Sequence, residues 1–118
     1  MPDITKLTST DDADRLIAAS SASPLLLFKH SLTCSISANA FHRFNRFLEQ
    51  GSAVGFAVAM IEVQNARPVS NHVAEASGVR HESPQALLYR EGRVVWHASH
   101  GAITEAALSD ALTKTSAS

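Results

Sequence analysis

The stretch "LLLFKHSLTCSISANAFHRFNRFLEQG", residues 25–51, switches period part-way along and so decides the fold. Its first six residues are almost wholly apolar and of strand length, as in a strand covered on both faces of a sheet. From Ser35 the spacing becomes helical. Ile36, Ala40, Phe44, Phe47 and Leu48 fall on one stripe with Phe41 at its margin, while His42, Arg43, Asn45, Arg46 and Glu49 take the other side. Gly51 ends the helix. The junction between strand and helix holds the chain's single cysteine, Cys34, among Thr33, Ser35 and Ser37.

Upstream, "DITKL" reads as a short edge strand. "STDDADRLIAAS" reads as a helix capped by Ser9 or Thr10, with aspartates in its first turn where the helix dipole favours anions. Downstream, "AVGFAVAMIEV" reads as a second buried strand, central in the sheet. Pro68 opens a shorter helix closed by Gly78. "QALLYR", "EG" and "RVVWHA" read as a hairpin with a two-residue turn, and a last helix is expected over about residues 103–114. The tail "TKTSAS" is expected to fray.

The order is therefore β-α-β-α-β-α-β-β-α. It predicts a single-domain α/β fold of thioredoxin-like type over residues 1–118, with a mixed central sheet. Cys34 then lies at the carboxyl end of a central strand, where open α/β sheets bind ligands.

Composition narrows the function. The chain has 118 residues with ten Lys plus Arg, eleven Asp plus Glu and a net charge of −1, which gives no basic footprint for nucleic acid. One cysteine cannot form an internal disulfide, so the secreted disulfide-framework class drops out. No apolar run approaches the ~20 residues of a membrane span. The first twenty residues lack both a basic segment and a continuous apolar one, so a cytoplasmic location is expected. The six histidines (30, 42, 72, 81, 97 and 100) are scattered. His97 and His100 are three apart, yet no third ligand is evident and no metal site is predicted.

A thiol at a helix start meets unpaired backbone N–H groups and the positive end of the dipole, which favour the nucleophilic thiolate. Lys29 and His30, just upstream, add positive potential. Thr33, Ser35 and Ser37 are the polar groups placed to support the sulfur, with the Ser37 hydroxyl expected to reach back toward it or toward the helix start. A second cysteine at position 37 would let the protein resolve its own mixed disulfide. With Ser37 there, an outside thiol must do so, which is the logic of a monothiol carrier. In a thioredoxin-like fold Pro84 is expected to be cis and to face Cys34, with Ser83 offering backbone groups to the substrate. The competing reading is a non-catalytic binding or adaptor module in which Cys34 is an inert packing residue.

Four blocks, "FKHSLTCSIS", "ARPVSNHVA", "GVRHESPQALL" and "GRVVWHASHGAIT", together resemble the monothiol bacilliredoxin family of the bacillithiol system. The resemblance runs from about Leu26 to Leu112. The family signature is T-C-P-I-S, so Ser35 stands where the family has proline. The C-G-F-S of monothiol glutaredoxins is absent.

The resemblance implies a monothiol thiol–disulfide oxidoreductase that removes bacillithiol, or a similar low-molecular-weight thiol, from mixed disulfides on S-bacillithiolated proteins. Cys34 would be the attacking thiolate and would carry the bacillithiol, a co-substrate rather than a resident cofactor. A recycling reductase or second thiol would restore it. Bacillithiol bears two carboxylates, for which Lys29, His30, Arg67, Arg80 and His81 are the cationic candidates at the active end. His81 is favoured because it lies three residues before Pro84.

Overall fold

The structure, a computed structural model, describes residues 4–51, 53 and 55–116. Five strands form one mixed sheet: β1 (Ile4–Lys6), β2 (Leu25–His30), β3 (Ala57–Glu62), β4 (Gln85–Arg90) and β5 (Arg93–Ser99). They lie in the order β1-β3-β2-β4-β5, with β1, β3 and β2 parallel and β4 and β5 antiparallel to their neighbours. Helices α1 (Thr10–Ala18), α2 (Ser35–Glu49), α3 (Arg67–Ser77) and α4 (Glu105–Ser116) cover both faces. The element order is the one the periodicity predicts.

β2 takes the centre of the sheet, and every residue from Leu25 to Lys29 is buried. Strand alternation sends its side chains to two separate cores. Leu26 and Phe28 pack with Phe44, Phe47 and Leu48 of α2 and with Leu108 and Leu112 of α4, whereas Leu25 and Leu27 pack with Ala13, Val69 and Val73 beneath α1 and α3. The same alternation carries Lys29 toward α3 and His30 toward α2, and this divergence shapes the site.

Local signals act where the sequence places them. Ser9 caps α1 by accepting the Asp12 N–H at 3.1 Å. Glu91 and Gly92 both have positive φ (54° and 77°), as a two-residue hairpin turn of primed type requires. Two boundaries differ from expectation. β3 begins only at Ala57, because the Phe56 N–H turns back to the Ala53 carbonyl at 3.0 Å; Val54, also expected in this strand, lies outside the described residues. The last helix also runs further than expected: α4 reaches Ser116, and Thr115 is buried with its hydroxyl bonded to the Ala111 carbonyl. Residues 117 and 118 of the tail lie outside the described residues. None of the described helices is long and apolar enough to cross a membrane.

Candidate active site

The carboxyl end of β2 delivers the chain into a short loop, Ser31–Thr33, and then into α2. Cys34 is the N-cap residue, with extended backbone (φ −107°, ψ 124°), and its carbonyl accepts the Ala38 N–H at 3.0 Å. Its thiol is free and half-buried. No side chain caps this helix and no acidic residue lies in its first turn, in contrast to α1 with Asp11 and Asp12. The positive end of the α2 dipole is therefore not neutralised beside the sulfur, and negative charge developing there meets open N–H groups. Leu32 and Ile36, two residues to either side of Cys34 in the chain, are large apolar side chains left exposed at 47% and 52%.

Ser37 does something other than reach for the sulfur. It is fully buried, its Oγ accepts the Ser31 N–H at 2.8 Å, and it pairs with His30 Nδ1 at 2.9 Å. Helix geometry explains this: a side chain in the first turn leans toward the helix N-terminus, which tucks it under the incoming loop. Thr33 Oγ1 is taken by Gln64, and Ser35 is exposed at the first helical position. Among the described residues no hydrogen bond joins Cys34 Sγ to Thr33, Ser35 or Ser37. Thr33 and Ser37 are bonded within the loop and helix start rather than to the thiol.

The basic candidates separate. His30 lies against the α2 side, its ring stacked on Phe41 at a centroid distance of 4.6 Å. Burial lowers its pKa, partly opposed by the Glu62 carboxylate. Lys29, a candidate for the bacillithiol carboxylates on the sequence, is completely buried rather than exposed at the active end. Its Nζ donates to the Ser70 carbonyl at 3.1 Å and lies 3.3 Å from His81 Nδ1, which Ser70 Oγ also approaches at 3.0 Å. An ammonium only donates, so a hydrogen bond from Lys29 requires His81 Nδ1 as its acceptor. Burial and the nearby Lys29 and Arg67 charges depress the His81 pKa, with Glu82 opposing. Arg67 is exposed at the start of α3, and Arg80 is exposed beyond its end. The Ser83–Pro84 bond is cis, and Pro84 is buried just before β4. No group of three or more metal-ligating side chains converges among the described residues.

Burial pushes the Lys29 pKa down from 10.5 to about 8. Between those values the unfolded chain binds more protons than the native one, so this group makes stability rise with pH through that window. Relative to a Lys29→Met variant, which lacks the titration, the parent should gain about 3 kcal/mol from neutral pH to above pH 10.5. At neutral pH the variant should be at least as stable as the parent, since an apolar replacement removes a buried charge. Urea unfolding of both proteins at the two ends of the window checks this. A constant gap would mean that Lys29 is not a buried cation.

Gln64 carried no sequence signal, because it lies in the turn after β3, yet it is the residue most closely engaged with the Cys34 loop. Its Oε1 accepts the Leu32 N–H at 2.9 Å, and its Nε2 donates to Ser31 Oγ at 2.8 Å and Thr33 Oγ1 at 3.2 Å.

A five-stranded mixed sheet between two helical layers, with one accessible thiol at the N-cap of the helix after the central strand and a cis-proline strand beside it, defines a thioredoxin-fold protein of single-cysteine type. The comparisons agree. A solved protein proposed to be an oxidoreductase with a thioredoxin fold superposes with a TM-score of 0.81 at 36% identity, covering 92% of each chain. Thioredoxin from Trypanosoma brucei brucei superposes with a TM-score of 0.79 at 10% identity, over 99% of this chain and 94% of that one. Thioredoxin (Mala s 13) from Malassezia sympodialis gives 0.77 at 11%, over 97% and 91%. At such identities these two bear on the fold alone. Residues 5–108 match the family model for monothiol bacilliredoxin BrxC, so the chain belongs to the monothiol bacilliredoxin family. In general terms it is a thiol oxidoreductase of thioredoxin fold.

Proposed function

We propose that this protein removes bacillithiol from S-bacillithiolated proteins and carries it as a mixed disulfide on Cys34. The observation that carries the reading is the setting of that thiol: half-buried, hydrogen-bonded to no side chain, and at a helix N-terminus that no side chain caps, with Leu32 and Ile36 exposed two residues to either side in the chain. An inert packing cysteine has no need of an accessible position at a helix N-terminus, whereas a thiol that meets a protein-borne disulfide does.

The exchange is a substitution at sulfur. The Cys34 thiolate attacks the bacillithiol sulfur of the substrate disulfide, the old S–S bond breaks as the new one forms, and the substrate's thiolate leaves and takes up a proton. No net oxidation or reduction accompanies this step. The open N–H groups of the first α2 turn steady the negative charge as it passes between sulfurs. With no second cysteine in the chain, Cys34 is restored by an outside thiol or recycling reductase that attacks the adduct.

For the two bacillithiol carboxylates the reading uses exposed Arg67 and half-buried His81 on the α3 side, with His30 on the other. Ser83 and Pro84 supply the backbone against which the disulfide lies. Lys29 acts only indirectly, through His81. The apparatus lies at the ends of strands and loops, and the cytoplasm is the compartment in which such a reduced thiol would operate.

The test is direct. Reduced protein is incubated with a bacillithiolated protein, and both are followed by intact-mass spectrometry. The expected result is a bacillithiol adduct on Cys34 appearing in step with loss of the adduct from the substrate. Persistence of the substrate adduct with Cys34 unmodified would sink the proposal.

A further inference from the structure

The geometry points to Gln64 as a positioning residue for the exchange at Cys34: its amide fixes the three residues that lead into the nucleophile. The inference rests on the reading of Cys34 as the exchanging thiol.

Gln64 reaches the loop from a backbone that is itself held. The Val63 N–H bonds the His30 carbonyl at 2.9 Å, which brings the end of β3 against the end of β2. The Asn65 and Ala66 N–H groups both return to the Glu62 carbonyl at 3.0 Å, closing the turn that presents Gln64 at its tip. From there the side chain contacts Ser31, Leu32 and Thr33 in succession. Both ends of the amide are engaged, with its oxygen on the Leu32 N–H and its nitrogen donating to the Ser31 and Thr33 hydroxyls. Only an acceptor can meet the Leu32 N–H, so the orientation of the amide is set by the network rather than chosen.

Two features separate this role from ordinary structural support. Gln64 is exposed and belongs to neither hydrophobic core, so the fold does not depend on it. Its partners are confined to the loop, the whole connection between the central strand and the N-cap cysteine. Ser37 grips the same loop from beneath at the Ser31 N–H. Between the two grips, Cys34 and the first N–H groups of α2 are held in one relative position before substrate arrives, and a loop ordered in advance need not be ordered during reaction.

The amide is also neutral, and this gives a readout that loss of structure alone does not move. Gln64→Ala removes all three bonds. Gln64→Glu keeps an acceptor for the Leu32 N–H, and its second oxygen accepts from the Ser31 and Thr33 hydroxyls once these rotate, so the brace is retained while a negative charge is placed on the loop that leads into Cys34. Gln64→Asn is one methylene too short to span the loop.

The experiment measures bacillithiol transfer, the pH profile of Cys34 alkylation by iodoacetamide, and melting temperature for the full chain and each variant. Gln64→Ala and Gln64→Asn should lower the maximal transfer rate about tenfold while melting close to the parent. Gln64→Glu should recover the transfer rate at high pH, with its alkylation profile displaced to higher pH by the added charge. Parental transfer and alkylation in Gln64→Ala overturn the inference, as does a Gln64→Glu variant as slow as Gln64→Ala at every pH. Failure of the underlying reading looks different: the parent itself then carries no bacillithiol on Cys34, whatever residue 64 is.

Discussion

Cys34→Ala is expected to abolish bacillithiol transfer, lowering its rate by about a thousandfold or more to the uncatalysed background. Cys34→Ser should be equally inactive, since a hydroxyl cannot form the mixed disulfide that the exchange passes through. The size of the effect follows from arithmetic on the sequence: with one cysteine in the chain, no other thiol can substitute. Stability should scarcely change, by about 1 kcal/mol or less, because the thiol is half-buried and makes no side-chain hydrogen bond. That combination, full loss of activity in a protein that melts like its parent, separates a nucleophile from a packing residue. A Cys34→Ala protein that still clears the substrate adduct would move the chemistry elsewhere.

The elements were legible in the sequence wherever one periodicity ran long enough. The apolar run of β2 and the stripe from Ile36 to Leu48 in α2 each point to a single packing solution. Pro68, Gly78 and the Glu-Gly pair then marked boundaries through backbone preferences that hold in any context. The start of β3 was misplaced because Ala53 and Phe56 are apolar whether they lie in a turn or a strand. The end of α4 was misplaced because small polar residues resemble a frayed tail until Thr115 is seen to be buried.

The position of the nucleophile was legible for the same reason, since it depends on where β2 stops and α2 begins. Its surroundings were not. Strand alternation places Lys29 and His30 on opposite faces, but only the packing of α3 shows that Lys29 is covered and spent on Ser70 and His81. Gln64 meets its partners across about thirty residues of chain, at a contact that no local pattern encodes. Bonds between the side chain of one loop and the backbone of another form only after the sheet has set its strand order. They are therefore the part of a site that sequence reading misses first.

Ser37 is the position where that gap has the largest consequence for mechanism. Sequence spacing assigns it the place of a missing second thiol, and the structure adds that its hydroxyl holds the Ser31 N–H and His30 Nδ1 in a fully buried setting. Ser37→Cys should therefore have two separable effects. A thiol three residues into the helix attacks the Cys34 sulfur of the mixed disulfide, closes an internal 34–37 disulfide and expels bacillithiol as the free thiol. The Cys34 adduct should then cease to accumulate, and the oxidised product should be lighter than the reduced chain by two hydrogens. Because sulfur is a weak acceptor, the Ser31 N–H and the His30 ring lose a strong partner, and stability should fall by about 1–2 kcal/mol. Ser37→Ala serves as the control: it suffers the same loss of bonds without gaining a thiol, so its adduct should persist as in the parent. An adduct that accumulates in Ser37→Cys as fully as in Ser37→Ala would show that a side chain turned under the loop cannot reach the Cys34 sulfur. The monothiol chemistry would then be imposed by the geometry of the helix start as well as by the absence of a second cysteine.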